Sequence, residues 1–437
     1  MNPILQSLQT GFLFFDGAMG TQIHNANLPH AQHPESYNLT HPEAIRDIHA
    51  RYLAAGANII SACTFGAYSH KMENAEAVIA AAIENARAAI VESGRTDCYI
   101  ALDMGPTGKL LEPVGDAPFE EVYQIFKEAA VLGEKYGADC VIIETMIDLY
   151  ETKAALLAVK ENTALPVFCS VAYEAGGRTL TGGTPLSAVT MLEALGADAI
   201  GLNCGAGPDF ASSLAAELLQ YASVPVIVQP NAGLPCITEG CEHATFNLTA
   251  EDFAKGMADI AKNGARLLGG CCGTTPAHIH TLVLACKDIA PAPITDKTDI
   301  YLCTNGTCLR LGDAPEIGTI SADDPAVLEA LQAQDMFEIA DIAIEHRADD
   351  AELLIVRLGA NGVDEAAIMK DVINAIQQVA PIPMQIETAN ADALAIALRI
   401  LNGKAAVKLL SDDDAFVDEA TALVVKYGGV LVSDIQI

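Results

Sequence analysis

Three cysteines in two glycine-containing segments of the chain have the chemistry of a metal site. Cys271 and Cys272 are adjacent in the stretch LLGGCCGTTP, and Cys204 ends the earlier apolar run AIGLNC. Successive side chains of a strand point to opposite faces, so both neighbouring sulfurs reach one ion only where the backbone bends, as glycine permits. Three thiolates without an obvious fourth ligand are typical of a catalytic zinc site, in which one position stays open for water or substrate. A vicinal disulfide and buried thiols that act as small apolar groups are the alternatives.

Residues 1–290 repeat a pattern that predicts the scaffold for these thiols. Short apolar runs alternate with amphipathic segments of helical period and with glycine-containing turns. This alternation is typical of a parallel sheet with crossover helices, and eight such runs fit a closed TIM-type (β/α) barrel. The predicted strands span residues 12–15, 58–61, 98–102, 140–144, 167–171, 199–203, 226–229 and 266–269.

Polar residues stand at the carboxyl ends of several predicted strands. In such barrels the chemistry lies at that end, on the loops that follow the strands. A single carboxylate there is more often structural, but two carboxylates beside three thiols favour a functional site. Glycine-rich loops at 17–21 and 105–108 let backbone amides approach a small ligand, and neither has the spacing of a phosphate-binding loop. Six residues are expected to meet at one mouth: Asp16, Glu144, Cys204, Asn231, Cys271 and Cys272.

The composition limits the class of protein and of partner. The 437 residues are 51% hydrophobic but only 5% aromatic, without tryptophan, as in aliphatic α/β proteins, and the formal net charge is -33. So acidic a chain disfavours nucleic acid and anionic membrane surfaces as partners. No apolar run of membrane-spanning length and no leader-like amino terminus is evident, so we expect a cytoplasmic protein whose 12 cysteines are reduced.

Seven segments closely resemble the homocysteine-binding barrel of the homocysteine S-methyltransferase family. The resemblance covers nearly all of residues 1–290, and the sequences of these segments are most similar to the amino-terminal module of cobalamin-dependent methionine synthases. It implies a TIM-type barrel, zinc as cofactor and methyl transfer to L-homocysteine. The segments are DGAMGTQ (16–22), DMGPTGKLLEP (103–113), IETMIDLYETKAAL (143–156), GRTLTGGTP (177–185), ALGADAIGLNC (194–204), QPNAGLP (229–235) and GGCCGTTPAHI (269–279).

The resemblance also implies roles for individual residues of this chain. Asp16 and Glu144 are expected to hold the amino group of homocysteine, and backbone amides around Gly17 and Ala18 its carboxylate. Asn231 is the candidate for the fourth ligand of the resting metal. Three cysteines are the implied zinc ligands and catalytic residues: Cys204, Cys271 and Cys272.

Two positions in the barrel depart from the family pattern. Relatives that take the methyl group from betaine have a tyrosine after the glutamate that can complete the zinc shell, whereas this chain has Thr145. Cys63 replaces the usual asparagine before a Thr-Phe pair, near the end of the second predicted strand. We interpret Cys63 as a change in packing, with a place in the lining of the barrel's open end as the alternative.

Beyond a proline-containing linker at 291–300, residues 301–437 are predicted to form a smaller acidic α/β domain. Its order of elements resembles the first half of a pterin-binding barrel. Cys303 and Cys308, in CTNGTC, are expected to be ordinary thiols and not a second metal site. Strands are expected at 353–358, 383–387, 405–410 and 430–433, and helices at 365–378, 391–401 and 415–427.

This second resemblance departs at the positions that would hold the pterin. Ile355 and Arg357 stand where the pterin-binding family has an aspartate and an asparagine, and Glu387 replaces a second aspartate. Isoleucine accepts no hydrogen bond from a pterin. We therefore expect a truncated, degenerate relative that does not bind methyltetrahydrofolate. A half barrel exposes sheet edges, so the region is expected to dock a partner or to form a homo-oligomer.

The sequence leaves three functions open. No corrinoid-binding Asp-x-His-x-x-Gly loop occurs, so methylcobalamin as methyl donor requires a separate corrinoid-carrying protein. The favoured function is the homocysteine-activating part of a cobalamin-dependent methionine synthase. The alternatives are a methyltransferase that acts alone with a sulfonium such as S-methylmethionine, and a catalytically inactive zinc-bearing scaffold.

Overall fold

The computed structural model of the chain describes residues 2–29, 31–236 and 245–433. The chain divides into two units, which we call the barrel unit and the second unit. The barrel unit comprises Met1–Gly108, Glu120–Leu180 and Ala197–Lys297. The second unit comprises Lys109–Phe119, Thr181–Gly196 and Thr298–Ile437. The domain limits expected from the sequence, with a linker at 291–300, stay a prediction.

The barrel unit contains the eight parallel strands that the sequence predicts. They are β1 (Leu13–Phe14), β2 (Ile59–Ser61), β3 (Tyr99–Met104), β4 (Cys140–Met146), β5 (Val167–Val171), β6 (Ala199–Cys204), β7 (Val226–Pro230) and β8 (Leu267–Leu268). Their order is β1-β8-β7-β6-β5-β4-β3-β2. A parallel bridge between Phe15 and Ile59 joins β1 to β2. The eight strands therefore form one ring, which confirms the TIM-type barrel.

Helices alternate with these strands, as the amphipathic segments predict. They are α1 (Pro3–Thr10), α2 (Met19–Asn25), α3 (Tyr37–Thr40), α4 (Pro42–Ala55), α5 (Ala75–Ser93), α6 (Phe119–Tyr136), α7 (Leu149–Asn162), α8 (Pro185–Ala194), α9 (Pro208–Tyr221), α10 (Ala250–Lys262) and α11 (Pro276–Cys286), with a short 3-10 turn at Pro34–Ser36. Asp148 caps α7, where its side chain accepts from the backbone N–H of Tyr150. Gly56 ends α4 with φ 108, a left-handed conformation that glycine adopts without steric cost. The Asp148 cap fixes the start of α7, and Gly56 fixes the end of α4 just before β2.

Alternate side chains of the strands fill the inside of the barrel. Ile59, Ala101, Ile142, Phe168 and Ile227 belong to one fully buried apolar cluster. Because side chains alternate along a strand, the inward position one step nearer the carboxyl end lies two residues later. In β2, β3, β4, β5 and β7 these later inward positions are polar, and in β6 the polar residue is Asn203, four residues after Ala199. We call the six residues the polar layer: Ser61, Asp103, Glu144, Ser170, Asn203 and Gln229. The interior is thus apolar at the level of this cluster and polar at the carboxyl ends of the strands.

One buried histidine of the barrel unit predicts how stability depends on pH. His49 in α4 is fully buried, and neither ring nitrogen has a hydrogen-bond partner. Burial lowers the pKa of His49 to about 4 from its ordinary 6.5. Between these values the unfolded chain binds more protons, so this residue makes the free energy of unfolding fall as pH decreases, by up to ~1.4 kcal/mol per pH unit.

We therefore expect His49→Met to flatten the acid-side slope of stability, since the variant has no group to protonate. Urea unfolding of variant and parent at about pH 7 and pH 5 measures the slope. His280→Met is the matched control, because His280 is exposed. If both variants keep the parent slope, His49 does not carry this dependence.

The second unit contains two sheets. An antiparallel sheet has the order β10-β9-β14, and a parallel sheet has the order β11-β12-β13-β15-β16. The strands are β9 (Tyr301–Thr304), β10 (Cys308–Arg310), β11 (Ile317–Ser321), β12 (Leu353–Arg357), β13 (Met384–Thr388), β14 (Gly403–Lys404), β15 (Ala406–Leu409) and β16 (Val430–Leu431). The helices of the second unit are α8, given above, with α12 (Pro325–Ala333), α13 (Met336–Ala348), α14 (Glu365–Val379), α15 (Ala391–Ile400) and α16 (Asp414–Lys426).

The parallel sheet confirms the predicted smaller α/β region but has one more strand than the sequence predicts. All four predicted strands and all three predicted helices are present, with ends that coincide or are shifted by at most two residues. The expectation of four strands was wrong, because β11 adds a fifth strand beside β12. The sequence of β11, IGTIS, has only two strongly apolar residues, so its pattern is weak. None of the described helices is long and apolar enough to cross a membrane.

Candidate metal and substrate site

Three sulfurs converge at the carboxyl end of the barrel. The Sγ atoms of Cys204, Cys271 and Cys272 all lie within 4.8 Å of one another. Cys204 is the last residue of β6 and has φ 63, and Gly205 follows with φ 67. A left-handed backbone is unusual for a residue with a Cβ, and it turns the side chain out of the regular alternation of the strand. This bend lets a thiol from β6 reach the two that follow β8.

The Cys271-Cys272 pair is fixed by bonds to its neighbours. The N–H of Cys271 donates to the carbonyl of Pro230 at 2.9 Å, and the N–H of Ala232 donates to the carbonyl of Cys272 at 2.9 Å. The hydroxyl of Thr274 donates to the carbonyl of Cys271 at 2.7 Å. The loop after β8 is therefore tied to the end of β7, and both sulfurs are positioned without any ligand.

Without a cation the three sulfurs share protons unequally. The pKa of Cys204 falls to about 3, because the thiols of Cys271 and Cys272 donate hydrogen bonds to its sulfur. The same bonds raise the pKa of Cys271 well above its ordinary value and that of Cys272 to about 11. Three thiolates this close need a bound cation to offset their repulsion.

Asn231 lies beside the cluster but outside the lining of the cavity described next. Its side-chain N–H donates to the carbonyl of Gly205 at 2.5 Å, and it also donates a hydrogen bond to the sulfur of Cys204. Its Oδ1 is buried and has no hydrogen-bond partner. A buried acceptor left unpaired costs about 1–3 kcal/mol. Asn231 thus contacts one of the three sulfurs and carries an unpaired acceptor, which fits a fourth metal ligand.

A cavity of about 300 Å³ opens over the polar layer. That volume is at the lower end of the ~300–1,000 Å³ usual for small-molecule sites and fits a ligand the size of an amino acid. Seven of the predicted site residues line it, together with Ser61, Cys63, Asp103 and Gln229. The seven are Asp16, Gly17, Ala18, Glu144, Cys204, Cys271 and Cys272. The strand-end residues selected from the sequence are thus brought together, apart from the position of Asn231.

The two predicted carboxylates differ in how they are held. Asp16 is buried, and its two oxygens accept from the N–H of Ser61 at 3.0 Å and from its hydroxyl at 3.1 Å. Burial raises the pKa of Asp16 to about 8 in spite of these bonds. Burial, and next the charge of Cys204, raise the pKa of Glu144 to about 7. Asp16 is therefore oriented in advance, whereas Glu144 faces the sulfurs.

The predicted backbone donors at Gly17 and Ala18 are only partly available. The N–H of Ala18 already donates to the hydroxyl of Thr274 at 3.1 Å. A Cβ on Gly17 would lie 2.6 Å from that hydroxyl and 2.9 Å from the hydroxyl of Tyr52, so only glycine fits there. A carboxylate bound at this loop would take the amide of Ala18 from Thr274 or use that of Gly17.

Asp103 is a cavity residue that the strand-end selection missed. It is 8% exposed, it lines the cavity, and its Oδ1 has no hydrogen-bond partner. Burial, reinforced by the nearby Glu144 and Asp16, raises its pKa well above the ordinary value. The signal was present in the sequence, because Asp103 directly follows the third predicted strand, at 98–102, as Asp16 follows the first.

In the second unit, two of the three residues at the expected pterin positions, Arg357 and Glu387, lie close to each other. The guanidinium of Arg357 donates to the hydroxyl of Ser321 at 3.2 Å and lies 3.7 Å from a carboxylate oxygen of Glu387. It also pairs with Asp323. Ile355 lies two residues before Arg357 on β12. The absence of methyltetrahydrofolate binding stays a prediction.

Comparison with known proteins places the chain among methyltransferases. A profile of the family described as homocysteine S-methyltransferase matches residues 13–286. The methionine synthase of Mycobacterium tuberculosis is 31% identical over 466 residues, which cover 98% of this chain and 38% of that protein. The methionine synthase of Mycobacterium leprae is 29% identical over 472 residues, with the same coverage. The chain thus spans 38% of the length of these relatives.

Solved structures with a similar fold include the homocysteine methyltransferase MmuM from Escherichia coli. Its metallated form matches with a TM-score of 0.53 at 23% identity, over 64% of this chain and 98% of that chain. Its oxidized form matches with a TM-score of 0.53 at 22% identity, over 62% of this chain and 95% of that chain. The likeness shows the barrel fold.

Proposed function

Because the chain belongs to the homocysteine S-methyltransferase family, we propose that it methylates the thiol of L-homocysteine to form methionine at the carboxyl end of its barrel. One observation carries this proposal: three sulfurs within 4.8 Å of one another border a cavity that also contains buried carboxylates. The sulfurs suit a metal that activates a thiol, and the carboxylates suit an ammonium group. Homocysteine carries both groups.

The proposed metal is zinc, bound by Cys204, Cys271 and Cys272. The donor set fits, since three thiolates are a typical zinc shell and the unpaired Oδ1 of Asn231 is the fourth donor. Zinc bound there supplies a Lewis acid that lowers the pKa of the substrate thiol and so makes it a nucleophile at neutral pH. Asn231 also keeps its N–H bond to Gly205, which holds the side chain beside the sulfurs.

The polar layer and the loop after β1 are proposed to hold the rest of the substrate. An ammonium group has three N–H donors, and four carboxylates line the cavity: Asp16, Glu35, Asp103 and Glu144. Glu35 already accepts from the N–H of Gly66 at 2.7 Å, so the other three are the proposed acceptors. Asp16 is held in place by Ser61, so this acceptor needs no reorganisation when the substrate binds. The carboxylate of the substrate lies at the Gly17-Ala18 amides. Both ends of the amino acid are then fixed, and its thiol is aimed at the three sulfurs.

The methyl donor is proposed to be methylcobalamin on a separate corrinoid-carrying protein. The similarity to methionine synthases supports it, because that similarity extends over 98% of this chain and so includes the second unit. The similarity to a homocysteine methyltransferase of which the matched region covers 98% favours the alternative, a donor such as S-methylmethionine that needs no partner. We also propose a cytoplasmic location, since the described cysteines are all free thiols. Docking or self-association through the second unit stays part of this proposal.

The choice of donor is tested by methionine formation with zinc-loaded protein, L-homocysteine and either methylcobalamin or S-methylmethionine. We expect turnover with methylcobalamin, and Cys98→Ala should match the parent because Cys98 lies outside the cavity lining. Turnover with S-methylmethionine alone would make the protein a self-sufficient methyltransferase. No methionine from either donor, by protein that retains zinc, would contradict the proposed reaction.

A further inference from the structure

Two cysteines of the second unit, which the proposed reaction does not use, face each other across a β-hairpin. Strands β9 and β10 are antiparallel, and Asn305-Gly306 lies in the turn between them. In the register of this pair Cys303 is directly opposite Cys308. A spacing that looked uninformative in the sequence therefore becomes a side-by-side pair of thiols.

The hydrogen bonds of the hairpin determine which kind of cross-strand pair this is. The N–H of Thr304 donates to the carbonyl of Thr307 at 2.9 Å, and the N–H of Leu311 donates to the carbonyl of Ile300 at 2.8 Å. Bonded and non-bonded pairs alternate along an antiparallel ladder, so the cysteine pair is a non-bonded one. In such pairs the Cα atoms are ~4.5 Å apart, within the ~4.4–6.8 Å that a disulfide spans.

Both sulfurs also meet at one residue of α8. The hydroxyl of Ser187 is 3.3 Å from the sulfur of Cys308, and the sulfur of Cys303 is 3.8 Å from the carbonyl of Ser187. The thiol of Cys303 donates to the sulfur of Cys308, which lowers the pKa of Cys308, and hydroxyls of Ser187, Thr184 and Thr190 add to the effect. Cys308 is partly exposed, whereas Cys303 is fully buried. Cys308 is thus the thiol that a reagent in solution reaches first.

We propose that Cys303 and Cys308 are a reversible oxidation site, at which a small-molecule disulfide converts the two thiols into one cross-strand disulfide. The thiolate of Cys308 attacks one sulfur of the oxidant, and the other sulfur leaves as a thiolate that takes up a proton. Cys303, deprotonated in turn, attacks Sγ of Cys308 and releases the second half of the oxidant as a thiol. Two protein thiols and one small disulfide become one protein disulfide and two small thiols.

This site is independent of the proposed zinc cluster. The cluster cysteines belong to the barrel unit, whereas Cys303, Cys308 and Ser187 all belong to the second unit. Failure of the methyltransferase proposal would leave the oxidation site unaffected. The best matched control thiol is Cys98, which is also partly exposed but whose pKa burial raises to about 11.

The test uses the full, zinc-loaded chain with oxidised glutathione, followed by acid quenching, alkylation and peptide mapping. Lys297 and Arg310 bracket both cysteines, so trypsin releases them in one peptide, 298–310. We expect this peptide to escape alkylation, to weigh two hydrogens less than its reduced form, and to become alkylated after reduction with dithiothreitol. Cys303→Ser should instead trap a mixed disulfide of glutathione at Cys308.

Two results would overturn the proposal. One is full alkylation of both cysteines under conditions that add glutathione to Cys98. The other is a stable glutathione adduct at Cys308 in the parent, since an adjacent, correctly placed Cys303 would displace it. Cys98→Ser should leave the 298–310 disulfide unchanged and confirms that the signal comes from the hairpin.

Discussion

Replacing Cys271 with alanine is expected to abolish metal retention and methyl transfer together. Two sulfurs and an amide oxygen remain, so the affinity for zinc falls and the substrate thiol loses its activation. Changes that only support a metal ligand typically cost 10–100-fold, so loss of a ligand should lower kcat/KM by at least ~100-fold. Elemental analysis after dialysis against a mild chelator and the methionine assay measure the two losses in the same sample.

Cys286→Ala is the matched control for this variant. Cys286 ends α11, is 2% exposed and is absent from the cavity lining. The same atoms are removed from a buried site, so any general effect on folding appears in both proteins. A Cys271→Ala protein with parent levels of zinc and activity would refute the metal site proposed here.

Changing Asp103 to asparagine is expected to raise the KM for homocysteine by about 10–100-fold with little change in kcat. The substitution keeps the shape of the side chain but removes the carboxyl group, which can ionise when the substrate ammonium binds beside it. A hydrogen bond to a charged group contributes about 1.5–3 kcal/mol, which corresponds to that factor. Initial rates over a range of homocysteine concentrations measure KM, and zinc content should equal that of the parent.

Two comparisons show whether Asp103 acts through the ammonium group. A thiol without an amino group, such as 4-mercaptobutanoate, should react equally with parent and variant. Asp209→Asn, at an exposed position in the first turn of α9, should leave both KM values unchanged. An unchanged KM for homocysteine in Asp103→Asn, or an equal loss with both thiols, contradicts the assignment.

Most of the site follows from the sequence because one physical rule governs it. Parallel strands of a barrel end at the same face, so residues that end short apolar runs must meet there. The same rule, applied evenly, selects Asp103, which follows the third predicted strand as Asp16 follows the first. The rule predicts which residues lie close together, but it does not predict the hydrogen bonds between them. That Asn231 donates to Gly205 and keeps an unpaired oxygen depends on the left-handed backbone of Cys204, which no local pattern predicts.

The second unit was harder to predict for a different reason. Its register depends on pairing between strands, and a shift of one residue would move every side chain to the other face. The sequence CTNGTC gives the distance between Cys303 and Cys308 along the chain but not their alignment in the ladder. Strand β11 shows the same limit, since its pairing with β12 is set by contacts distant in sequence.

The position of the three sulfurs has a consequence for the order of biosynthesis. Cys204 ends β6, but Cys271 and Cys272 follow β8, the last barrel strand to leave the ribosome. The ring is sealed through β8 and β1, where Phe15 donates to Leu268 and Gly270 to Asp16. A nascent chain that stops short of β8 has one sulfur and an open sheet. Binding of the proposed zinc would therefore report that translation has passed the final strand and that the ends of the barrel have met.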